Sequence, residues 1–344
     1  MKKYVIFLFC GLLILTGCRF KVGKKENLNF LSYNVQTFFD SNKDGNEYSE
    51  FTSSSSKWSA EKYEERLDRL ASTILNSCDG GPDIALLIEV ENQDVVYDLC
   101  SRFSSKYAYP YGVFIPWNNS PLMPALISRY PVKSVFVHQV YSTTFDSSLL
   151  RPLIEIHLEV DSRDLVVFCL HWKSKLAKNG EDKEMRKKQA ELLASRVNEI
   201  LVENPGAAVI AAGDFNESWE DGNGLGIFDK SAEFPVNLTG NQDFESLTLA
   251  GKESSGGTVL YEPWFDVPEG DRGSYYYNGK WECIDHILFT PGIMGSGAFE
   301  YRGFSSVRLP ELFYKDGIPY RYEVYSGTGY SDHLPLLLTL SLAE

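Results

Sequence analysis

Polar side chains of the types that bind metals and move protons stand repeatedly where apolar stretches of this 344-residue sequence end or begin. These residues are Asn34, Glu89, His171, Asp214 with Asn216, Asp285, and Asp332 with His333. Each one alone has an ordinary explanation, such as a turn residue or a helix-start acid. Polar groups at the ends of several strands, however, project from a rigid scaffold into a cleft. We therefore expect these side chains to share one site.

The chemistry that fits this set is metal-dependent hydrolysis of a phosphate ester. Glu89, Asp214 and Asp332 supply carboxylate oxygens, which suit Mg²⁺, Mn²⁺ or Ca²⁺. His333 follows Asp332 directly and is a candidate base for deprotonating water, since a carboxylate bonded to an imidazole orients it.

Amide and imidazole donors complete this set. Asn34, Asn216 and His171 can donate hydrogen bonds to phosphate oxygens as charge develops in the transition state. Nucleophile-elbow, P-loop, dinucleotide-binding and H-E-x-x-H motifs are absent from the sequence.

The net charge excludes one class of function. The chain has 47 acidic and 33 basic residues, a formal net charge of -14. A protein that coats DNA without sequence preference is normally basic. An enzyme that only visits nucleic acid is not excluded, because a local cationic groove or a bound metal offsets the global charge.

Six short motifs together resemble the endonuclease/exonuclease/phosphatase superfamily, which includes pancreatic deoxyribonuclease, exonuclease III-type repair enzymes, neutral sphingomyelinases and inositol polyphosphate 5-phosphatases. In chain order the motifs are Tyr33-Asn34-Val35, Ile88-Glu89-Val90-Glu91-Asn92, His171-Trp172-Lys173-Ser174-Lys175, Gly213-Asp214-Phe215-Asn216, Ile284-Asp285-His286 and Ser331-Asp332-His333-Leu334-Pro335. The resemblance runs from about residue 28 to 342. It implies an α/β fold: a four-layer α/β-sandwich of two mixed β-sheets packed face to face, with helices outside.

The resemblance also implies roles in binding metal and phosphate. Glu89 resembles the main metal carboxylate, with Asn34 beside it and Asp332 on the metal side. Arg151, ahead of a predicted strand, resembles a phosphate-contacting arginine, although a surface charge explains it nearly as well.

Roles in proton transfer follow from the same resemblance. His333 resembles the general base and Asp285 its carboxylate partner. Asp214 and Asn216 resemble the pair that contacts the attacking water, the phosphate or a second metal, and His171 resembles a phosphate-binding or acid histidine.

The sequence departs from the usual family pattern at two positions. Ile88 stands where glutamine is common, and Gln36 stands where repair endonucleases tend to carry aspartate. The start at Asn34-Val35 and the motif that follows His171 look more like secreted bacterial nucleases and related hydrolases.

The N-terminus is typical of an exported lipoprotein. Lys2 and Lys3 precede an apolar run over residues 4–15, and the run ends in Leu15-Thr16-Gly17-Cys18, which resembles a lipobox. We predict a signal peptide at 1–17, lipidation of Cys18, a tether at 18–27 and one domain at 28–344. A plain secretory signal or an uncleaved anchor is the alternative. Because no aspartate follows Cys18, the outer membrane is favoured within the cell envelope.

Periodicity predicts the elements that position these residues. Helices are expected over 59–75 and 182–202, and the stretch 219–280 resists assignment. Strands are expected over 28–34, 84–88, 125–127, 132–140, 153–160, 165–170, 207–212, 283–289 and 334–342. The sequence leaves undecided whether Cys78 and Cys100 form disulfide bonds. Cys169 and Cys283 lie in apolar runs, which favour buried free thiols.

The sequence thus predicts a metal-dependent phosphodiesterase, foremost an extracytoplasmic nuclease that acts on DNA or RNA and needs no obligate protein partner. The alternative is a hydrolase of sphingomyelin, another phospholipid or a phosphomonoester. Trp264-Phe265 and Tyr275-Tyr276-Tyr277 could contact a membrane or stack on bases, but core packing also explains them. A catalytically inactive binding lipoprotein is the third hypothesis.

Overall fold

A computed structural model describes residues 27–117, 120–175, 181–218, 228–233, 245–249, 258–294 and 297–342. Its first sheet contains β1 (Asn27–Phe38), β2 (Ile84–Val90), β3 (Tyr111–Phe114), β4 (Met123–Ser128), β15 (Phe299–Ser306) and β16 (Leu336–Leu342). The second contains β5 (Val132–His138), β6 (Leu153–Val160), β7 (Arg163–His171), β8 (Val209–Asp214), β9 (Phe228–Glu233), β10 (Glu245–Leu249), β11 (Thr258–Tyr261) and β14 (Asp285–Phe289). A separate hairpin pairs β12 (Tyr275–Tyr277) with β13 (Lys280–Glu282).

Both sheets are mixed. The strand order is β15-β16-β1-β2-β4-β3 in the first and β5-β6-β7-β8-β14-β11-β10-β9 in the second. The parallel pairs are β1 with β2 and β7 with β8. These central strands pack across the interface between the sheets, which is why β2 and β8 are apolar on both faces.

Helices cover the outer faces. They are α1 (Ser49–Thr52), α2 (Ala60–Asn76), α3 (Gln93–Ser101) and α4 (Glu181–Glu203). α2 and α3 lie on the first sheet's side, and α4 contacts β6, β10 and β11 of the second. The predicted four-layer sandwich is confirmed.

Helix α2 shows how the local sequence sets an element. Ser59 caps it, because its side chain accepts a hydrogen bond from the Lys62 backbone N–H. Tyr63, Leu67 and Ile74 recur at helical spacing and are buried against the sheet. The predicted helix over 59–75 is thereby confirmed.

Chain direction brings the predicted site residues to one edge of the sandwich. β1, β2, β7 and β8 end at this edge, and the antiparallel strands β14 and β16 begin there. In the register of the second sheet His171 stands opposite Asp214, and Asp214 stands opposite Asp285. The three polar side chains therefore lie side by side on the neighbouring strands β7, β8 and β14.

Two predictions about the remainder of the chain have different outcomes. Among the described residues, Cys78, Cys100, Cys169 and Cys283 form no disulfide bond with one another, as predicted for Cys169 and Cys283. The signal peptide, Cys18 and most of the tether lie outside the described residues. No helix in the described ranges is both long and apolar enough to cross a membrane.

Candidate active site

A buried histidine–aspartate pair lies at the converging edge. His333 Nδ1 lies 2.7 Å from Asp285 Oδ2, and Ser274 Oγ donates to the same oxygen at 2.6 Å. His333 Nε2 remains directed toward the acidic groups, 3.9 Å from Asp332 Oδ1. With Nδ1 held by a carboxylate, Nε2 is the atom that can exchange a proton with a bound water.

The charge around His333 favours its protonated form. Burial alone would lower the pKa of this imidazole, but the charge and hydrogen bond of Asp285 outweigh burial. Together with the charges of Asp332 and Asp214, they raise the pKa of His333 to about 10. Without a neutralising cation, the carboxylates therefore hold a proton on His333 at neutral pH.

Two further carboxylates are joined by an amide. Asn34 Nδ2 donates to Glu89 Oε1 at 3.2 Å and to Asp214 Oδ2 at 3.1 Å. Glu89 Oε2 accepts a 2.6 Å hydrogen bond from the Thr37 backbone N–H. Burial and then the charge of Asp285 raise the pKa of Asp214 to about 7. These acids repel each other in a setting where water does not screen them.

His171 faces this pair of acids as a neutral ring. Its Nε2 is 3.7 Å from Glu89 Oε1 and 3.9 Å from Asp214 Oδ2, too far for hydrogen bonds. Burial, followed by the positive charges of Arg151 and His333, lowers the pKa of His171 well below its ordinary value. Its buried Nδ1 has no hydrogen-bond partner among the described residues. A buried polar atom without a partner in the protein can bind a group that is not part of the chain.

The donor set fits a divalent cation. Glu89 and Asp214 offer hard oxygens 3.7 and 3.9 Å from His171 Nε2, and clustered like charges are relieved by a cation. Asp214, Asp285 and His333 form a second possible site, because one ligand atom from each lies within 4.8 Å of the others. Asp285 and His333 already bond each other there, so Glu89 and Asp214 are the more available ligands.

The other predicted residues surround this centre with different partners. Asn216 donates from its side chain to the Trp172 carbonyl at 3.1 Å, which ties two loops together. Arg151 Nε donates to the Leu122 carbonyl at 2.9 Å, and its guanidinium lines a small cavity with His171. Asp332 is the most exposed acid of the site, with 31% of its side chain accessible.

Left-handed backbone conformations occur at the strand ends that carry the site. Glu89 has φ 72°, and Gln36 and Thr37 have φ 54° and 43°. Such conformations cost free energy and persist only where the surroundings enforce them. Arg66 of α2 supplies that constraint, since its guanidinium donates to the carbonyls of Val35, Gln36 and Thr37.

Sequence reasoning missed three supporting residues. Ser274 holds Asp285, and Ser331 Oγ donates to the Asn34 carbonyl at 2.7 Å. Gln36 Oε1 accepts from the backbone N–H groups of Tyr322 and Asp332, at 2.9 and 3.1 Å. No local pattern marks Ser274, whereas Ser331 begins the Ser331-Asp332-His333 motif but was given no role, and an amide where a charge is usual could have indicated the role of Gln36.

Family comparison decides the classification. Residues 29–342 match the model of the Endonuclease/Exonuclease/phosphatase family. The chain belongs to this family. Its members are in general phosphoester hydrolases that use divalent metals, in agreement with the acids and the His333–Asp285 pair described above. No curated protein shows a significant match in sequence.

Solved structures with the same fold share little sequence with the chain. Truncated Caenorhabditis elegans TDP2 aligns with TM-score 0.55 and 15% identity, covering 92% of this chain and 98% of that one. D. rerio TDP2 complexed with single strand DNA product gives TM-score 0.53 and 15% identity, covering 92% and 100%. Beta toxin 275-280 from Staphylococcus aureus gives TM-score 0.51 and 18% identity, covering 90% and 99%. At these identities the likeness is one of fold.

Proposed function

We propose that this chain is a divalent-metal-dependent phosphodiesterase that cleaves nucleic acid outside the cytoplasm. The observation that carries the proposal is the buried His333–Asp285 pair, whose Nε2 lies 3.9 Å from Asp332 Oδ1 and which is clustered with Asp214. Nucleic acid is favoured over other esters because a structural neighbour, D. rerio TDP2, holds a single strand DNA product. Export and lipidation at Cys18 belong to the same proposal and are supported by the N-terminal sequence alone.

Each group has a role in the proposed reaction. In its unprotonated form, His333 accepts the proton of the attacking water at Nε2, while Asp285 keeps the ring oriented and stabilises the charge that it then carries. Arg151, whose Nε alone is bonded within the described residues, to Leu122, donates to phosphate oxygens as negative charge develops. The Asn34 amide holds the Glu89 and Asp214 carboxylates. A divalent cation at Glu89 and Asp214 would supply further positive charge for that transition state.

The test uses the chain from residue 19 with Mg²⁺, Mn²⁺, Ca²⁺ or EDTA. Plasmid DNA, RNA, sphingomyelin and a phosphomonoester are assayed side by side with wild type and His333→Ala. We expect metal-dependent cleavage of DNA or RNA that falls on the order of 10²–10⁴-fold in the variant, the usual contribution of a general base. Cleavage of lipid or monoester alone would retain the chemistry and replace the substrate.

A matched pair of variants separates the metal ligand from the surrounding charge. Glu89 and Glu91 lie two residues apart, but Glu91 Oε2 accepts from the Asp40 backbone N–H instead of facing Asp214. Glu89→Gln should lose activity and need more metal for half-maximal rate, whereas Glu91→Gln should keep the wild-type metal requirement. Equal effects of the two substitutions on metal requirement would contradict the assignment of Glu89. Inactivity of the wild type on all four substrates would favour a binding protein.

A further inference from the structure

A hairpin of aromatic residues stands directly beside the catalytic histidine. β12 and β13 are joined by Asn278 and Gly279, whose φ values of 48° and 81° fit the tight turn that Asn-Gly sequences favour in hairpins. The hairpin is fixed to the catalytic segment, because the Leu334 N–H donates to the Ser274 carbonyl at 2.7 Å. Tyr275 and His333 also form an isolated antiparallel bridge. Its position relative to His333 is therefore set by backbone contacts.

The two faces of this hairpin differ in surroundings. Tyr276 and Trp281 stand opposite each other in the register and contact each other edge-on, with Arg308 over the Trp281 ring. This face is half-buried and holds the hairpin in place. Tyr275 and Tyr277 point to the other face, because residues two apart in a strand share a side.

The rings of Tyr275 and Tyr277, the tyrosine pair, continue outward from the catalytic imidazole. Tyr275 lies against His333 with ring centroids 4.6 Å apart and planes tilted by 32°. Tyr277 is nearly parallel to Tyr275, at 6.1 Å and 15°, and is 53% exposed. The three rings thus run from the imidazole of His333, through Tyr275, to the exposed ring of Tyr277.

We propose that the tyrosine pair is a stacking platform for an unpaired nucleobase next to the phosphate being cleaved. This assignment rests on the proposed nuclease function and adds a preference for single-stranded nucleic acid. Stacking on an aromatic ring requires a free base face, which a base inside a duplex lacks. Exposed Lys280 is paired with Tyr277 across the hairpin, so a cation is available for the phosphate beside a stacked base.

Chemical character favours a nucleobase over a lipid surface as the occupant. The outward face combines tyrosine rings with Lys280 and Glu282, and Glu282 lies 3.9 Å from Lys175. Aliphatic side chains, which would enter a bilayer, are absent from β12 and β13. Rings beside the cation Lys280 suit a nucleotide, whose base stacks and whose phosphate is negative, and the charge of Glu282 is balanced by Lys175.

The decisive experiment compares a single-stranded oligonucleotide with its abasic counterpart of the same length, in Mg²⁺. The variants are Tyr277→Ala, Tyr277→Phe and Tyr111→Ala. Tyr111 is a matched exposed tyrosine at the opposite edge, since it pairs with Ser128, which in turn pairs with Ile84 at the start of β2. We expect the ratio of kcat/KM for intact over abasic oligonucleotide to fall about tenfold in Tyr277→Ala, the effect of losing one stacked base. Tyr277→Phe should keep the ratio because it keeps the ring.

Failure of the platform is distinguishable from failure of the nuclease function. If wild type cleaves the oligonucleotide and His333→Ala does not, the nuclease function stands. An unchanged ratio in Tyr277→Ala then overturns the platform alone. If wild type cleaves no nucleic acid, both are overturned. Loss of binding to phosphatidylcholine–sphingomyelin vesicles in Tyr277→Ala, with an unchanged ratio, would assign the hairpin to a membrane instead.

Discussion

Ser274 controls the catalytic pair through a single hydroxyl. It donates to the same Asp285 oxygen that binds His333 Nδ1, so it helps to fix the oxygen that holds the imidazole. Hydrogen bonds to a charged group in a buried setting are among the stronger ones in proteins. The orientation of His333 therefore depends on a residue that does not itself exchange a proton.

Removing this hydroxyl tests its positioning role. Ser274→Ala should lower kcat/KM about tenfold, as expected for loss of one hydrogen bond to a charged acceptor. Ser326→Ala, on an exposed turn, is the control and should leave kcat/KM unchanged. The pH–rate profile should also change in Ser274→Ala, because the partner of the base loses a donor. A wild-type rate with a wild-type profile would argue against the role.

Metal binding should release protons from the acidic centre. The pKa of Asp214 is about 7 without a cation, so this carboxyl is about half protonated at pH 7. A bound cation favours the ionised form, and apparent metal affinity should therefore rise between pH 6 and pH 8. Calorimetry in two buffers of different ionisation enthalpy measures the released protons directly. Affinity independent of pH over this range would contradict the prediction.

Helix α2 shapes the end of β1 through one buried cation. Arg66 lies between the rings of Phe38 and Tyr322, with its guanidinium carbon 4.5 and 3.8 Å from their centroids. Its hydrogen bonds go to the carbonyls of residues 35–37, an irregular part of β1 whose Thr37 N–H bonds Glu89. The element that covers the sheet thus also sets the conformation of the site.

Arg66→Met would leave those carbonyls without their donor. We expect the free energy of unfolding to fall by about 3 kcal/mol or more, because buried unsatisfied acceptors are costly. Arg69→Met is the matched control, since Arg69 bonds the Gly327 carbonyl from a side chain that is 25% exposed. Urea denaturation of both variants gives the comparison. Equal loss in the two would show that the buried position of Arg66 is unimportant.

Strand β6 carries a buried charge, Glu155, that is not part of the active site. Glu155 is 1% exposed and bonds His138, His157 and Arg196. Burial would raise its pKa, but the bonds to the two histidines and to the Arg196 guanidinium lower it well below its usual range. A depressed carboxyl pKa stabilises the fold above the unfolded-state value, about 4.3, and this stability is lost as pH falls.

Glu155→Gln should therefore flatten the dependence of stability on pH in acid. Between pH 5 and pH 3, wild type should lose stability more steeply with falling pH than the variant, because unfolding of wild type takes up one more proton. Urea midpoints at several pH values measure the slopes. Equal slopes for wild type and variant would show that Glu155 does not contribute to the loss of stability in acid.

Elements with continuous apolar runs were predictable from the sequence, and the contacts between them were not. β6 has its predicted bounds, since each of its ends is marked by local sequence. β3 and β15 were missed because exposed and buried residues mix in them without strict alternation. The strand-end pattern placed Asp285 and His333 in one site, but their direct pairing was predicted only through the family resemblance, because they are 48 positions apart.

The whole molecule is acidic, with a net charge of -14, yet its proposed substrate is a polyanion. Described cations beside the site are few, namely Arg151, Lys175 and Lys280. Binding is therefore expected to depend on local contacts and on metal instead of a broad electrostatic field.

A shallow salt dependence follows from this charge distribution. The logarithm of the association constant for single-stranded DNA should fall with the logarithm of salt concentration with a slope of about -2, the value for roughly three phosphate contacts. Fluorescence anisotropy with His333→Ala, which prevents cleavage, measures this slope in constant Mg²⁺. A slope several times steeper would reveal a cationic surface beyond these residues.

In the first sheet, β1 lies between β2 and β16, the last described strand of the chain. Asp332 and His333 immediately precede β16, so the base arrives with the segment that completes the sheet. The residues before Ser331 include Asn34, Glu89, Asp214 and Asp285, but Asp332, His333 and β16 all lie after Tyr330. The order of residues along the chain therefore couples the arrival of the proposed base to the completion of the first sheet.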